Sequence, residues 1–110
     1  MNTRFSYLYS DASNYKKHHE IVLAGTLREL DLCEFLRDGE FFIPHEIDLP
    51  ELQDKPLTLD DHIWHTFGAV EPTTEDPTDQ RRAKEFLRAW KRAAALDWNE
   101  VATMRRLGFL

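Results

Sequence analysis

Residues 59–71, Leu-Asp-Asp-His-Ile-Trp-His-Thr-Phe-Gly-Ala-Val-Glu, constrain this chain more than any other stretch. The run from His62 to Val70 mixes aromatic and β-branched residues, which suit a pleated, half-buried surface. Asp60 and Asp61 precede it as turn residues. Pro72 follows, and because proline cannot donate to a ladder the strand is expected to stop there. Strand alternation puts His62, Trp64, Thr66 and Val70 on one face and Ile63, His65, Phe67 and Ala69 on the other. Both faces are largely apolar, as in a central strand covered on two sides. Gly68 marks a bulge or the close approach of another backbone.

The rest of the chain supplies partners for that strand. Residues 4–10 alternate, with Phe5, Tyr7 and Tyr9 on one face and Ser6, Leu8 and Ser10 on the other. Asp11, Ala12, Ser13 and Asn14 form a turn signal, since Asp, Ser and Asn side chains bond their own backbone. A second short strand is expected over residues 20–24, joined to the first by a longish polar connection. Thr26 and Glu29 have capping-box spacing, so a helix is expected over residues 27–38, with Gly39 as its left-handed end. A brief strand at residues 40–43 closes at Pro44. Residues 45–58 read as an extended loop carrying Ile47, Leu49, Leu52 and Leu57 against the core, and loops this long are often functional.

After the central strand, Asp76 or Thr78 is the expected cap of the longest helix, over residues 79–96. Its apolar stripe is Ala83, Phe86, Leu87, Trp90 and Ala94, and Arg81, Lys84, Arg88, Lys91 and Arg92 lie opposite. Asp97 and Glu100 repeat the capping spacing before a short last helix ending at Gly108. The β-β-α-β-β-α-α order predicts an α+β fold: a small antiparallel sheet packed on one long and two short helices. A chain of 110 residues, 42% of them hydrophobic, is expected to form a single domain over residues 1–110.

Composition narrows the function. One cysteine, Cys33, excludes an internal disulfide and fits a reducing cytoplasm, most simply as a small core residue. No stretch approaches a membrane span, and the first residues lack the apolar region of a signal peptide, so a cytoplasmic protein is expected. A net charge of −6 argues against general nucleic-acid binding. The charge is uneven: residues 28–61 hold 11 acids against 3 bases, and residues 81–106 hold 8 bases against 3 acids. The two regions are either neighbours, simply solvated, or bridged by a partner.

Two stretches resemble, together, a group of short bacterial proteins. These are Tyr7-Leu8-Tyr9-Ser10-Asp11-Ala12-Ser13-Asn14-Tyr15-Lys16 and Asp61-His62-Ile63-Trp64-His65-Thr66-Phe67, supported by Phe42-Ile43-Pro44 and Pro77-Thr78-Asp79. The group carries a Tyr-Arg-Asp-Ala-Ser-Asn-Tyr-Lys-like start and an Asp-His-x-Trp-His-like strand. Ser10 stands where that pattern has arginine. No activity attaches to the group, so the resemblance implies no catalytic role.

Three chemistries fit the residues. His62, His65, Asp60 and Asp61, with His45 or the pair His18 and His19, are ligand types for a divalent transition metal. Strand geometry opposes a joint role for His62 and His65, which point to opposite faces. The compatible sets pair Asp60 with His62, or Asp61 with His65, completed from elsewhere, and the set His45, Asp61 and His65 is the metal candidate. Acid–base catalysis has His62, His65 and Asp61 as candidates; Asp61 and His65 lie two pleats apart, long for a direct bond, and Asp11 or Glu20 could supply the orienter only after folding. The plain alternative for both histidines is a hydrogen-bonded, half-buried strand residue. Thirdly, Tyr7, Tyr9, Tyr15, Trp64 and Trp98 could form an aromatic interaction surface rimmed by Asn14, Lys16 and Lys17. The plain alternative is a core face. The basic side of the long helix is a second docking candidate. The expectation is a small binding or regulatory domain, with a protein partner or self-association, whose binding residues are Tyr15, Asn14, Lys16 and Trp64. The alternative is a small metal-dependent or acid–base enzyme using Asp61, His62, His65 and His45.

Overall fold

The computed structural model describes residues 1–13, 15–53 and 61–108. Its elements run β1 (Asn2–Ser10), β2 (Lys16–Leu23), α1 (Glu29–Cys33), β3 (Phe41–Phe42), a 3₁₀ turn (Pro44–Ile47), β4 (His65–Thr73), α2 (Ala83–Ala95), a second 3₁₀ turn (Asp97–Asn99) and α3 (Glu100–Leu107). The strands form one antiparallel sheet in the order β2-β1-β4-β3. This is the expected α+β architecture, with β1 and β4 as its central pair.

Alternation along β1 decides which face is core. Thr3, Phe5, Tyr7 and Tyr9 are buried, while Arg4, Ser6, Leu8 and Ser10 between them are half-buried. On the inner face the Phe5 ring centroid lies 5.1 Å from Phe86 and 5.8 Å from Trp90, so α2 packs directly on the sheet. Phe42 of β3 stands 4.9 Å from Trp90, and Trp90 stands 5.1 Å from Trp98. Burying each of these large apolar side chains contributes about 1.5–3 kcal/mol. Trp90 and Trp98 donate their indole N–H groups to the carbonyls of Leu32 and Phe35, so neither buries an unpaired donor.

Gly68 is the bulge. Ser6 pairs Ala69 but Tyr7 pairs Phe67, leaving Gly68 as the extra residue. A Cβ there would stand 2.8 Å from the Ser6 carbonyl oxygen. The extra residue inverts the alternation beyond it. Val70 therefore pairs Phe5 on the core side and Ala69 pairs Ser6 on the outer side, the reverse of the regular-strand expectation. The helices cover one face only, and Thr66 and Ala69 on the other remain half-buried. Pro72 does not end β4 but pairs Thr3 within it. β3 reaches only His65 and Thr66, so β4 is a sheet edge at Pro72, where a missing donor is tolerated.

Tertiary ties reset other boundaries. The Leu27 N–H donates to the Thr3 hydroxyl, which donates to the Gly25 carbonyl, so residues 25–27 are bound to β1 and Thr26 caps nothing. α1 starts after Arg28 instead, whose N–H donates to the Asp31 carboxylate, and it ends five residues later. Gly39 takes its left-handed conformation (φ 74°) in the turn after Leu36. The start of α2 shifts for a similar reason. The Thr78 hydroxyl accepts from the Val22 N–H, the Thr78 and Asp79 N–H groups donate to the Val22 carbonyl, and Ala24 bridges Arg82. Residues 78–82 thus line the edge of β2 before the helix begins. The hairpin is tighter than expected, with β2 starting at Lys16 opposite Ser10. Within residues 45–58, the start is a 3₁₀ turn, Ile47 and Leu49 are buried as expected, and Leu57 lies outside the described residues. No helix among the described residues is long and apolar enough to cross a membrane.

Candidate functional site: a groove on the open face of the sheet

The outer face carries an open groove of about 610 Å³. Its base is a cross-strand row. Leu8 of β1 pairs Thr66 of β4, and Thr66 pairs Phe41 of β3. Ser10 and Lys16, at the hairpin end, and Glu40, just before β3, join the lining, and His62 and Trp64 complete it.

The segment before β4 is held in place by a chain of hydrogen bonds. The Tyr9 hydroxyl donates to the Asp61 carboxylate at 2.6 Å and accepts from the His62 N–H at 3.2 Å. Burial first, and then the bond to Asp61, push the Tyr9 phenol well above its ordinary pKa. The Trp64 N–H can only donate, so His62 Nδ1 accepts from it at 3.1 Å. The Ser10 carbonyl can only accept, so His62 Nε2 carries the proton and donates at 2.8 Å. The tautomer follows from these two partners. Gln53 donates to the His62 carbonyl at 2.6 Å.

Trp64 is fixed from the helical side. Its indole N–H donates to Glu100 at 3.3 Å, and the Arg37 guanidinium stands 4.7 Å from its ring centroid. Arg37 in turn pairs with Asp97 at 2.6 Å. Asp97, Trp98 and Asn99 all adopt positive φ (52°, 59° and 42°), a turn that sends Trp98 into the core and starts α3 beside Trp64.

His62 and His65 point to opposite faces, as alternation requires. His65 is fully buried. Its Nε2 accepts from the Leu52 N–H at 3.1 Å, and its Nδ1–H donates to the Ile63 carbonyl at 3.1 Å, with the Glu51 carboxylate 3.3 Å away. Burial pushes its pKa down to about 3 despite the Ile63 bond, which acts the other way. The Glu51 contact is therefore one between a carboxyl and a neutral imidazole. Asp61 is engaged by Tyr9 rather than by a histidine ring. His45 lies on the first 3₁₀ turn, where its Nε2 accepts from Arg106 at 3.3 Å, and the adjacent Glu46 binds both Arg106 and Thr103. Among the described residues no group of three or more His, Cys, Asp or Glu side chains is arranged to hold a metal ion. Asp60 lies outside the described residues.

Of the expected binding residues, Lys16 and Trp64 line the same groove. Tyr15 is 59% exposed at the hairpin end, where its N–H donates to Asp11. Asn14 lies outside the described residues. Tyr7 and Tyr9 belong to the core face, and Tyr7 donates its hydroxyl to the Pro50 carbonyl. Sequence reasoning missed Leu8, Ser10, Glu40, Phe41 and Thr66 as a group. One signal was there: Leu8 is the large apolar residue on the otherwise polar face of β1.

Fold and groove together define a small α+β domain whose sheet, among the described residues, keeps one face uncovered by helix. Comparison with protein-family models, with curated proteins and with solved structures finds no match to this chain.

Proposed function

We propose that this protein is a small binding domain that takes a segment of a protein partner into the outer-face groove. The observation that carries the reading is the row Leu8, Thr66 and Phe41, walled by Trp64 and His62 and left open on a sheet face that the helices do not cover. Apolar surface at the centre, with hydroxyls and single charges at the rim, suits an apolar side chain presented on an extended backbone. Lys16 and Glu40 add one charge of each sign, which favours a peptide over a polyanion. The walls are held by backbone-directed hydrogen bonds, so little ordering accompanies binding. Both ring nitrogens of His62 serve this scaffold role. The half-buried, free Cys33 is consistent with a cytoplasmic setting.

A display selection of random peptides against the folded chain tests the reading. Selected peptides should lose at least about tenfold in affinity for Leu8→Asp, whose side chain enters the groove on the solvent side of the sheet. Equal affinity for the variant would move binding elsewhere.

A further inference from the structure

The exposed sides of α1 and α2 carry opposite net charge and lie next to each other, with Arg28 paired to Asp31 at the start of α1 and Glu85 accepting from the Arg82 N–H at the start of α2. On α2, Lys84, Arg88, Lys91 and Arg92 are all exposed, opposite the buried stripe of Ala83, Phe86, Trp90 and Ala93. On α1 and the turn after it, Glu29, Glu34 and Asp38 are exposed, while Leu32 faces the core. Leu30 is 78% exposed, and its spacing to Glu34 puts both on one ridge. The helices touch through the Trp90 indole, which donates to the Leu32 carbonyl, and Lys91 stands 5.9 Å from the Phe35 ring centroid. Among the described residues, these four cations and three acids make no ion pair with each other or with any other side chain.

We infer that this surface pairs two copies of the chain. Two adjacent strips of opposite sign are self-complementary under a twofold rotation, because each strip of one copy meets the opposite strip of the other. Leu30 gives the contact an apolar element within a charged rim. The net charge of −6 opposes association weakly, since screening beyond about 8–10 Å leaves the local strips dominant at ordinary salt. Leu30, Glu29, Glu34 and the four cations of α2 line none of the groove, while Asp38 lies beside its wall, next to Arg37 stacked on Trp64. A dimer built this way leaves both grooves open and is bivalent for the partner segment.

Sedimentation equilibrium on the full chain tests the pairing with two charge-reversed variants. Lys84→Glu/Arg88→Glu/Arg92→Glu carries two strips of net acidic charge, and Glu29→Lys/Glu34→Lys carries two of net basic charge. Wild type should dimerise, at least about tenfold more weakly at about 500 mM than at about 50 mM salt. Each variant alone should be monomeric, and an equimolar mixture of the two should restore a dimer. Far-UV circular dichroism and thermal melts verify folding. If a reversal fails to fold, the neutral pair Arg88→Gln and Glu34→Gln replaces it, each weakening the dimer at least about threefold. A monomeric wild type at low salt, a mixture that stays monomeric, or reversals that dimerise like wild type would each overturn the inference.

Discussion

His62 donates its Nε2 proton to the Ser10 carbonyl at 2.8 Å, fastening the segment before β4 to the last residue of β1. Through its other nitrogen the same ring accepts from the Trp64 N–H. One imidazole thereby spaces two walls of the groove. His62→Ala should leave the fold intact and cost about 1–2 kcal/mol of stability. The Trp64 amide should then exchange roughly tenfold faster with solvent, which hydrogen exchange reads directly. Unchanged exchange at Trp64 would show that the ring does not hold the wall.

His65 makes stability depend on pH. Its folded pKa is depressed from 6.5 to about 3, so between these values the unfolded chain binds a proton that the folded chain does not. The contribution is complete above 6.5 and is lost as pH falls. By about pH 5 the loss from this group is about 2 kcal/mol. Urea denaturation of the wild type should show that fall, and His65→Phe should have a shallower slope between about pH 7 and about pH 5. Equal slopes would mean that His65 is protonated in the folded protein.

Gly68 touches the sheet backbone too closely for any side chain. Gly68→Ala should cost about 1–3 kcal/mol, because the nearest contact is the Ser6 carbonyl oxygen at 2.8 Å, which cannot move aside as the Ser6 hydroxyl at 3.0 Å can. Chemical denaturation measures it, with Gly39→Asn as a comparison at a site open to solvent. An unchanged midpoint for Gly68→Ala would mean that the bulge relaxes freely.

The edge of β2 is closed by one hydroxyl as well as by backbone. Thr78→Val keeps the shape and removes the acceptor of the Val22 N–H. A loss of about 1 kcal/mol is expected, with faster exchange at Val22 and little change at Phe5. Uniform acceleration at both positions would mean that residues 78–82 and the core open as one unit.

These relationships explain what the sequence did and did not disclose. β1 was legible because Phe5, Tyr7 and Tyr9 alternate without interruption, and α2 because Phe86 and Trp90 recur at helical spacing beside Ala83. Opposite faces for His62 and His65 were legible from the same rule. The fate of Val70 and Ala69 was not, because one inserted glycine inverts every side chain beyond it. Helix starts were displaced where Thr3 and Val22, distant in sequence, took the hydrogen bonds that local capping would have used. The groove was half visible: Lys16 and Trp64 could be named singly. Leu8, Thr66 and Phe41 meet only through strand register, which no single stretch encodes.

The most direct measurement is amide and indole chemical-shift mapping of a display-selected peptide on the isotope-labelled chain. Shifts are expected at the amides of Leu8, Ser10, Lys16, Phe41 and Thr66 and at the Trp64 indole, with the Trp90 and Trp98 indoles still. Shifts confined to α2 and α3, with the outer sheet face silent, would contradict binding in the groove.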